Sequence, residues 1–342
     1  MKPVSTTQKW MLTIIAFVIA LLSIPFILYY SNSTRSITEF DNNNSLHESN
    51  LAYWTAPDVN NIADSGQRKQ VEYGRELIAH TAKYLGPNGT VSKISNGMNC
   101  QNCHLQAGTA VFGNNYGSVA SLYPKFRARS GTVENVYKRV NDCVERSLNG
   151  NSMDTLGKEM QAIVAYINFI GSNVKKGQKA PGSGFKDITL LDRPADPTKG
   201  QIIYTSKCQS CHQANGGGVY NADTTEFIYP ALWGNNSFND GAGLYRLGNM
   251  AKYVKYNMPQ GTTYKNPQLS DEEAWDVTAY VETQNRPHIS VPKDWPNKST
   301  KPVDHPFGPY ADTFSKEQHK YGPFNPIALA QKMKPETSKM KK

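Results

Sequence analysis

Residues 98–108 read MNCQNCHLQAG, and residues 207–217 read KCQSCHQANGG. Each stretch holds two cysteines three apart with a histidine directly after the second: Cys100, Cys103 and His104, then Cys208, Cys211 and His212. Two chemistries use such a pattern. Paired thiolates with flanking histidines can close a tetrahedral zinc site. Alternatively, two thiols add to the vinyl groups of a haem, and the adjacent histidine becomes an axial ligand of its iron. Only the second uses the histidine in both copies. The expectation is two covalently bound haem c groups.

The start of the chain points the same way. Residues 1–33 begin with Lys2 and Lys9 and run uncharged and largely apolar from Trp10 to Tyr30, as an export segment does. Attachment of c-type haem takes place outside the cytoplasm, so motif and segment agree. Two fates of the segment remain open. About 20 apolar residues span a bilayer and exceed the ~7–15 of a cleaved signal, which favours a retained anchor with its lysine-bearing end inside. Pro25 and the small-x-small pattern Ser31-Asn32-Ser33 favour cleavage. Either way the working part is expected in the periplasm, tethered to the inner membrane or soluble.

The formal net charge is +9, and only Lys2 and Lys9 of it lie in the first thirty residues. A basic exported body suits small anionic substrates, acidic redox partners or anionic lipid heads, and nucleic acid is not an expected partner there. The lysine-rich end, residues 332–342, reads as a solvated tail.

Each haem motif sits in a longer repeated unit. Upstream, Gly74 and Ile78 in VEYGRELIAHTAKYL match Gly200 and Tyr204 in TKGQIIYTSK. A spacing of four places both on one helix face, where glycine permits a close crossing by another helix. Downstream, EMQAIVAYINFIG (159–171) and EEAWDVTAYVETQ (272–284) read as amphipathic helices, the second with a capping box of Ser270 and Glu273 and the first with Asp154 as the expected cap. Between motif and closing helix stand Tyr123-Pro124 and Tyr229-Pro230. A carbonyl near each proline could accept the other ring proton of the histidine, or the dipeptide is an ordinary turn. Helix, Cys-x-x-Cys-His, long loops and closing helix in that order resemble a class I cytochrome c domain. The expected fold is mainly α: two class I cytochrome c domains in tandem after the N-terminal apolar segment. The expected organisation is signal or anchor 1–33, linker 34–70, first domain 71–172, linker 173–198, second domain 199–287, and a Pro-rich extension with a Lys-rich tail 288–342.

The remaining axial ligands distinguish the two haems. In the second domain Met258, in YNMPQG, lies 46 residues after His212 and 12 before Ser270, with Met250 as the alternative. Methionine raises the reduction potential, as suits an electron-transfer haem. The first domain has no Met-Pro. Of five cysteines, four are used by the motifs, and Cys143 is left, 39 residues after His104, where the repeat calls for a ligand. The competing readings are Met153 as ligand and Cys143 as a buried structural thiol. Around Cys143 the chain is basic, with Lys125, Arg127, Arg129, Lys138, Arg139 and Arg146. Such a cluster favours thiolate and can hold an anion, or it is a solvated helix face.

Taken together, NCQNCHLQAG, YPKFRARSGTVENVYKRVNDCVERSLNG, YPALWGNNSFNDGAGL and NMPQG resemble the dihaem thiosulfate dehydrogenase and tetrathionate reductase family over residues 73–284. The resemblance implies two-electron interconversion of two thiosulfates and one tetrathionate at a first haem ligated by His104 and Cys143. A second haem, on His212 and Met258, then exchanges electrons with a periplasmic or membrane partner such as another cytochrome c. It also implies that Arg129 and Arg139 hold the anionic substrate. Some family members carry lysine just before the second-haem methionine and switch ligands on reduction. Here Asn257 stands there, so no such switch is expected, and a bidirectional or reductive enzyme is the corresponding kind. A different class of function, a dihaem electron carrier without its own substrate, is the rival.

Overall fold

The structure, a computed structural model, describes residues 52–333. The apolar segment 1–33, the first part of the expected linker and the end of the tail lie outside the described residues. Among those described, no helix is long and apolar enough to cross a membrane. Three helices carry the first domain: α1 (Ser65–Ala79), α2 (Val136–Arg146) and α3 (Lys158–Ile170). The second has α4 (Pro197–Lys207), α5 (Leu247–Asn257) and α6 (Asp271–Thr283). Two short antiparallel hairpins complete the domains: β1 (Lys125–Arg127) with β2 (Thr132–Glu134), and β3 (Val219–Tyr220) with β4 (Phe227–Tyr229).

The two halves share one plan because they share one crossing. Helix α1 packs on α3, and α4 on α6. A Cβ on Gly74 would lie 2.0 Å from the carbonyl oxygen of Ala162, and one on Gly200 would lie 1.9 Å from that of Asp276. Only a residue without a side chain permits these approaches. One turn on, Ile78 and Tyr204 are buried on the same faces. Tyr204 Oη donates to Gln213 O at 2.7 Å, and Tyr166 Oη of α3 donates to Ala107 O at 2.9 Å, so each crossing is tied to its cysteine loop.

Helix ends follow local chemistry, with corrections to the expected boundaries. Helix α1 starts at Ser65, inside the stretch 34–70 expected as linker, because the Asp64 carboxylate accepts from Gln67 N at 2.6 Å. Ahead of it Trp54 and Ile62 are buried in the first core. Helix α6 has the expected capping box: Glu273 N donates to Ser270 Oγ at 3.0 Å and Ser270 N to Glu273 Oε2 at 2.7 Å. Helix α3 is not capped by Asp154, whose Oδ1 accepts from Leu156 N at 3.0 Å in the preceding turn; its N-cap is Gly157, which offers no side-chain acceptor. The stretch 173–198 bridges the two cores: Trp54 N donates to Pro181 O at 3.0 Å and Phe112 N to Gly182 O at 2.8 Å on the first domain, while Ile188 and Ala195 are buried in the second core.

The domains interlock. Phe227 of β4 is buried in the first core with Tyr220 packed against it, and Asn239 N donates to Arg146 O at 3.0 Å. The Pro-rich extension is structural. Asp294 receives both terminal nitrogens of Arg146, at 2.8 and 2.9 Å, and Asp304 receives Arg246 Nε at 2.8 Å. Helices α7 (Lys316–Tyr321) and α8 (Asn325–Met333) follow, and Phe324 and Ile327 are buried in the second core.

Candidate active site

In the first domain the cysteine loop is pinned to the turn after α1. Cys100 N donates to Thr81 Oγ1 at 2.9 Å, and Asn99 Oδ1 accepts from Ala82 N at 2.8 Å. Cys100, Cys103 and His104 then face a cavity of about 240 Å³ walled by Leu85, Met98, Val144 and Ile163 among others. Burial pushes the thiols up, Cys100 to about 11 and Cys103 to about 12, and the His104 imidazole down to about 4. His104 Nδ1 lies 2.5 Å from Asn114 O. A carbonyl only accepts, so Nδ1 carries the hydrogen and Nε2 keeps the lone pair a metal requires. The expected partner near Tyr123-Pro124 is not used: the Tyr123 carbonyl instead receives Lys176 Nζ at 2.5 Å.

Cys143 lines the same cavity from α2, and so does Met153. Asn135 starts this helix by accepting from Lys138 N at 2.9 Å, and its 3.6-residue period puts Arg139, Cys143, Arg146 and Ser147 on neighbouring positions of one side. Arg139 Nη1 donates to Cys143 Sγ at 3.0 Å, and its electrostatic interaction with that residue is the first cause that raises the Arg139 pKa. Met153 has no such polar partner, which distinguishes the two candidates chemically.

Arg127, Arg139 and Ser147 are shared with an adjoining cavity of about 140 Å³, which Arg129, Arg146 and Arg246 also line. Arg129 sits there with Nη1 donating to Gly241 O at 3.1 Å, and its pKa is lowered to about 10 by burial and then by Arg146. Arg129 and Arg139, picked out in the sequence, thus meet at one place, with Cys143 beside Arg139. Lys125 stays at the first-domain surface, and Lys138 pairs with Asp142 at 2.8 Å. Sequence reasoning missed Arg246 and Trp295, which complete the wall of this second cavity. Arg246 lies just after the quoted motif YPALWGNNSFNDGAGL, whereas nothing around Trp295 signals a site; only the fold brings it back.

The second cavity of the cofactor type holds about 460 Å³ and is lined by Cys208, Cys211, His212, Met258 and Met250. His212 Nδ1 lies 2.9 Å from Pro230 O, the carbonyl beside the proline of Tyr229-Pro230, so its Nε2 is likewise free for a metal. Met258 directly follows α5 as its C-cap, while Met250 lies within the helix and is buried in the second core. Asn257 donates Nδ2 to Phe112 O of the first domain at 3.3 Å. Cys103 and Asn102 reach the same cavity, and Tyr253 Oη of α5 donates to Asn102 O at 2.7 Å, so the two sites adjoin.

Both sites fit haem c. Each offers two thiols and one histidine with an oriented ring to a largely apolar cavity, which a sulfur-bearing side chain from a later part of the chain also lines. The donor set does not suit zinc: among the described residues no three or more His, Cys, Asp or Glu side chains converge as ligands.

Comparison with known proteins agrees. The profile of the SoxA/TsdA cytochrome c domain matches residues 90–175, and that of cytochrome c matches residues 197–285. A thiosulfate dehydrogenase of Psychrobacter arcticus is 36% identical over 70% of this chain and 71% of its own length. One of Allochromatium vinosum is 32% identical over 70% of this chain and 86% of its own. Among solved structures, the thiosulfate dehydrogenase TsdBA of Marichromatium purpuratum, in its as-isolated form, matches with a TM-score of 0.63 at 27% identity. That match covers 69% of this chain, which spans about half the length of the solved one, 50%. With two haem-binding cytochrome c domains and this degree of identity, the chain belongs to the thiosulfate dehydrogenase family of dihaem c-type cytochromes.

Proposed function

We propose that the protein is an oxidoreductase that interconverts two thiosulfates and one tetrathionate at the Cys143 site, in the direction set by its electron partner. The observation that carries this reading is the Arg139–Cys143 contact of 3.0 Å, in a cavity shared with His104 and opening onto the arginines. A merely structural thiol needs no guanidinium. The Cys143 thiolate forms a sulfur–sulfur bond with the outer sulfur of one thiosulfate, and two electrons leave. A second thiosulfate then attacks that sulfur; tetrathionate departs and the thiolate is restored. Reduction is the reverse. When bound, the haems supply the one-electron sites that take up or release these electrons. Arg139 stabilises the thiolate as leaving group, and Arg129 with the neighbouring arginines offsets the repulsion between two dianions, which is severe in a partly dry pocket.

In this reading His104 and Cys143 ligate the first iron, and His212 and Met258 the second, whose potential suits exchange with a partner such as another cytochrome c. The export-like segment 1–33 and the haem motifs support a periplasmic location, tethered or soluble. The test is electron exchange of the haem-loaded protein with thiosulfate and with tetrathionate, beside a Cys143→Gly variant of full haem content. Turnover by the wild type and none by the variant is expected. A wild type inert with both substrates refutes the proposal and leaves a dihaem carrier.

A further inference from the structure

The arginine cavity has a wall that the first domain does not supply. Helix α2 and the β1–β2 hairpin contribute Arg127, Arg129, Arg139 and Arg146; Arg246 comes from the second domain and Trp295 from the C-terminal extension. Two donor atoms of these wall residues are buried without an acceptor: Trp295 Nε1 and Arg146 Nε. Trp295 is 7% exposed, and a buried N–H left unpaired costs about 1–3 kcal/mol. Trp295 also sits in the left-handed region at φ 57°, held by its backbone N–H donating to Arg129 O at 2.6 Å.

Charge points the same way. The Arg146 guanidinium is matched by Asp294 and that of Arg246 by Asp304. Of the lining carboxylates, Glu134 lies 3.9 Å from Arg127 Nε and 3.8 Å from Lys138 Nζ, and Asp142 pairs with Lys138. Arg129 reaches Asp294 Oδ2, which Arg146 already holds, at 3.9 Å, and Arg139 has the Cys143 sulfur. Five arginines against the carboxylates of Glu134 and Asp142 border a space of about 140 Å³, several times the ~30 Å³ of one water, and Trp295 stands in its wall. This is the complement of an oxyanion.

We propose that Trp295 and Arg246 form, with Arg129 and Arg146, the far wall of a subsite for a sulfonate group of the substrate. The second domain and the extension are then part of the substrate site, beyond the relay of electrons. The proposal rests on the thiosulfate–tetrathionate reading. A rival occupant of the same chemistry is a propionate of the first haem.

Tetrathionate titrated calorimetrically into the oxidised holoprotein cannot be reduced, since no electrons are available, and the titration reads binding together with the exchange at Cys143 that releases one thiosulfate. Trp295→Phe keeps an aromatic ring beside Arg129, whose guanidinium lies 5.8 Å from the tryptophan ring centre, and removes the Nε1 donor along with part of the indole. The expected result is about tenfold weaker tetrathionate binding, the loss of one hydrogen bond to an anion, with haem content, spectrum and both midpoint potentials unchanged. Arg246→Lys, which keeps the charge beside Asp304 but not the fork, is expected to weaken binding similarly. Unaltered affinity in both variants overturns the proposal. A shifted first-haem potential with unaltered affinity overturns it in favour of the propionate. A wild type that neither binds nor turns over tetrathionate or thiosulfate removes the parent reading as well; turnover by the wild type with unaltered binding by the variants removes the subsite alone.

Discussion

Replacing Gly200 by alanine opposes two effects, and the structure decides the sign. Alanine is better than glycine inside a helix by about 1 kcal/mol, so propensity alone makes the variant more stable. The new Cβ would lie 1.9 Å from the carbonyl oxygen and 2.6 Å from the carbonyl carbon of Asp276 on α6. These are backbone atoms within a helix and cannot swing aside. Helices α4 and α6 must part by more than ~1 Å, and a gap of that size forfeits a quarter to a half of each dispersion contact along the crossing. Overpacking costs about 1–3 kcal/mol, and a backbone clash belongs at or above the top of that range. After the propensity gain, a net loss of about 2 kcal/mol remains, which lowers Tm by about 4–8 °C at ~2–4 °C per kcal/mol. Far-UV circular dichroism melts of the haem-loaded protein measure it. Gly74→Ala, at 2.0 Å from Ala162 O, should behave alike, and Gly243→Ala, where a Cβ meets nothing within 4 Å, should not. An unchanged or raised Tm for Gly200→Ala refutes the reasoning.

Arg139→Gln removes a charge-assisted hydrogen bond worth about 1.5–3 kcal/mol, so kcat/KM for thiosulfate should fall about 10–150-fold, with partial recovery in Arg139→Lys; wild-type kinetics would exclude a role for the guanidinium. Burial pushes the Glu282 carboxyl up to about 7, and Arg286 3.6 Å away offsets this only in part. A carboxyl that holds its proton more tightly when folded makes stability fall as pH rises from about 4.5 to about 7 and level off above, here by roughly 3 kcal/mol. Glu282→Gln should lose that portion of the pH dependence, and urea titrations at pH 4.5 and pH 8 with the wild-type slope would contradict it. Asp294→Ala strips Arg146 of its bidentate partner and should cost about 3 kcal/mol or more, read as a lower urea midpoint.

The haem motifs were legible because attachment chemistry is local: two thiols and a histidine within five residues carry their meaning wherever they fold. The crossings were legible too, since Gly74 with Ile78 and Gly200 with Tyr204 encode a helix face by spacing alone. Hydrogen-bond partners were less so. His212 uses the Pro230 carbonyl, but His104 turns to Asn114, because a histidine needs only some oriented acceptor and the two loops differ in path. Asp154 reads as a cap by residue type, yet the chain makes one more turn and α3 begins after Gly157.

The sequence by itself determined the tandem helical plan, the two Cys-x-x-Cys-His motifs, and the pairing of a lone cysteine with a basic neighbourhood, since each rests on residue type and short-range spacing. Which arginines meet was decided by tertiary structure. Arg129 and Arg246 are more than a hundred residues apart, and Trp295 arrives from the Pro-rich extension. Their convergence depends on Asp294 and Asp304 holding the partly buried guanidinium groups of Arg146 and Arg246, and on two domains closing over one cavity. Long-range contacts of that kind leave no periodic trace in the chain.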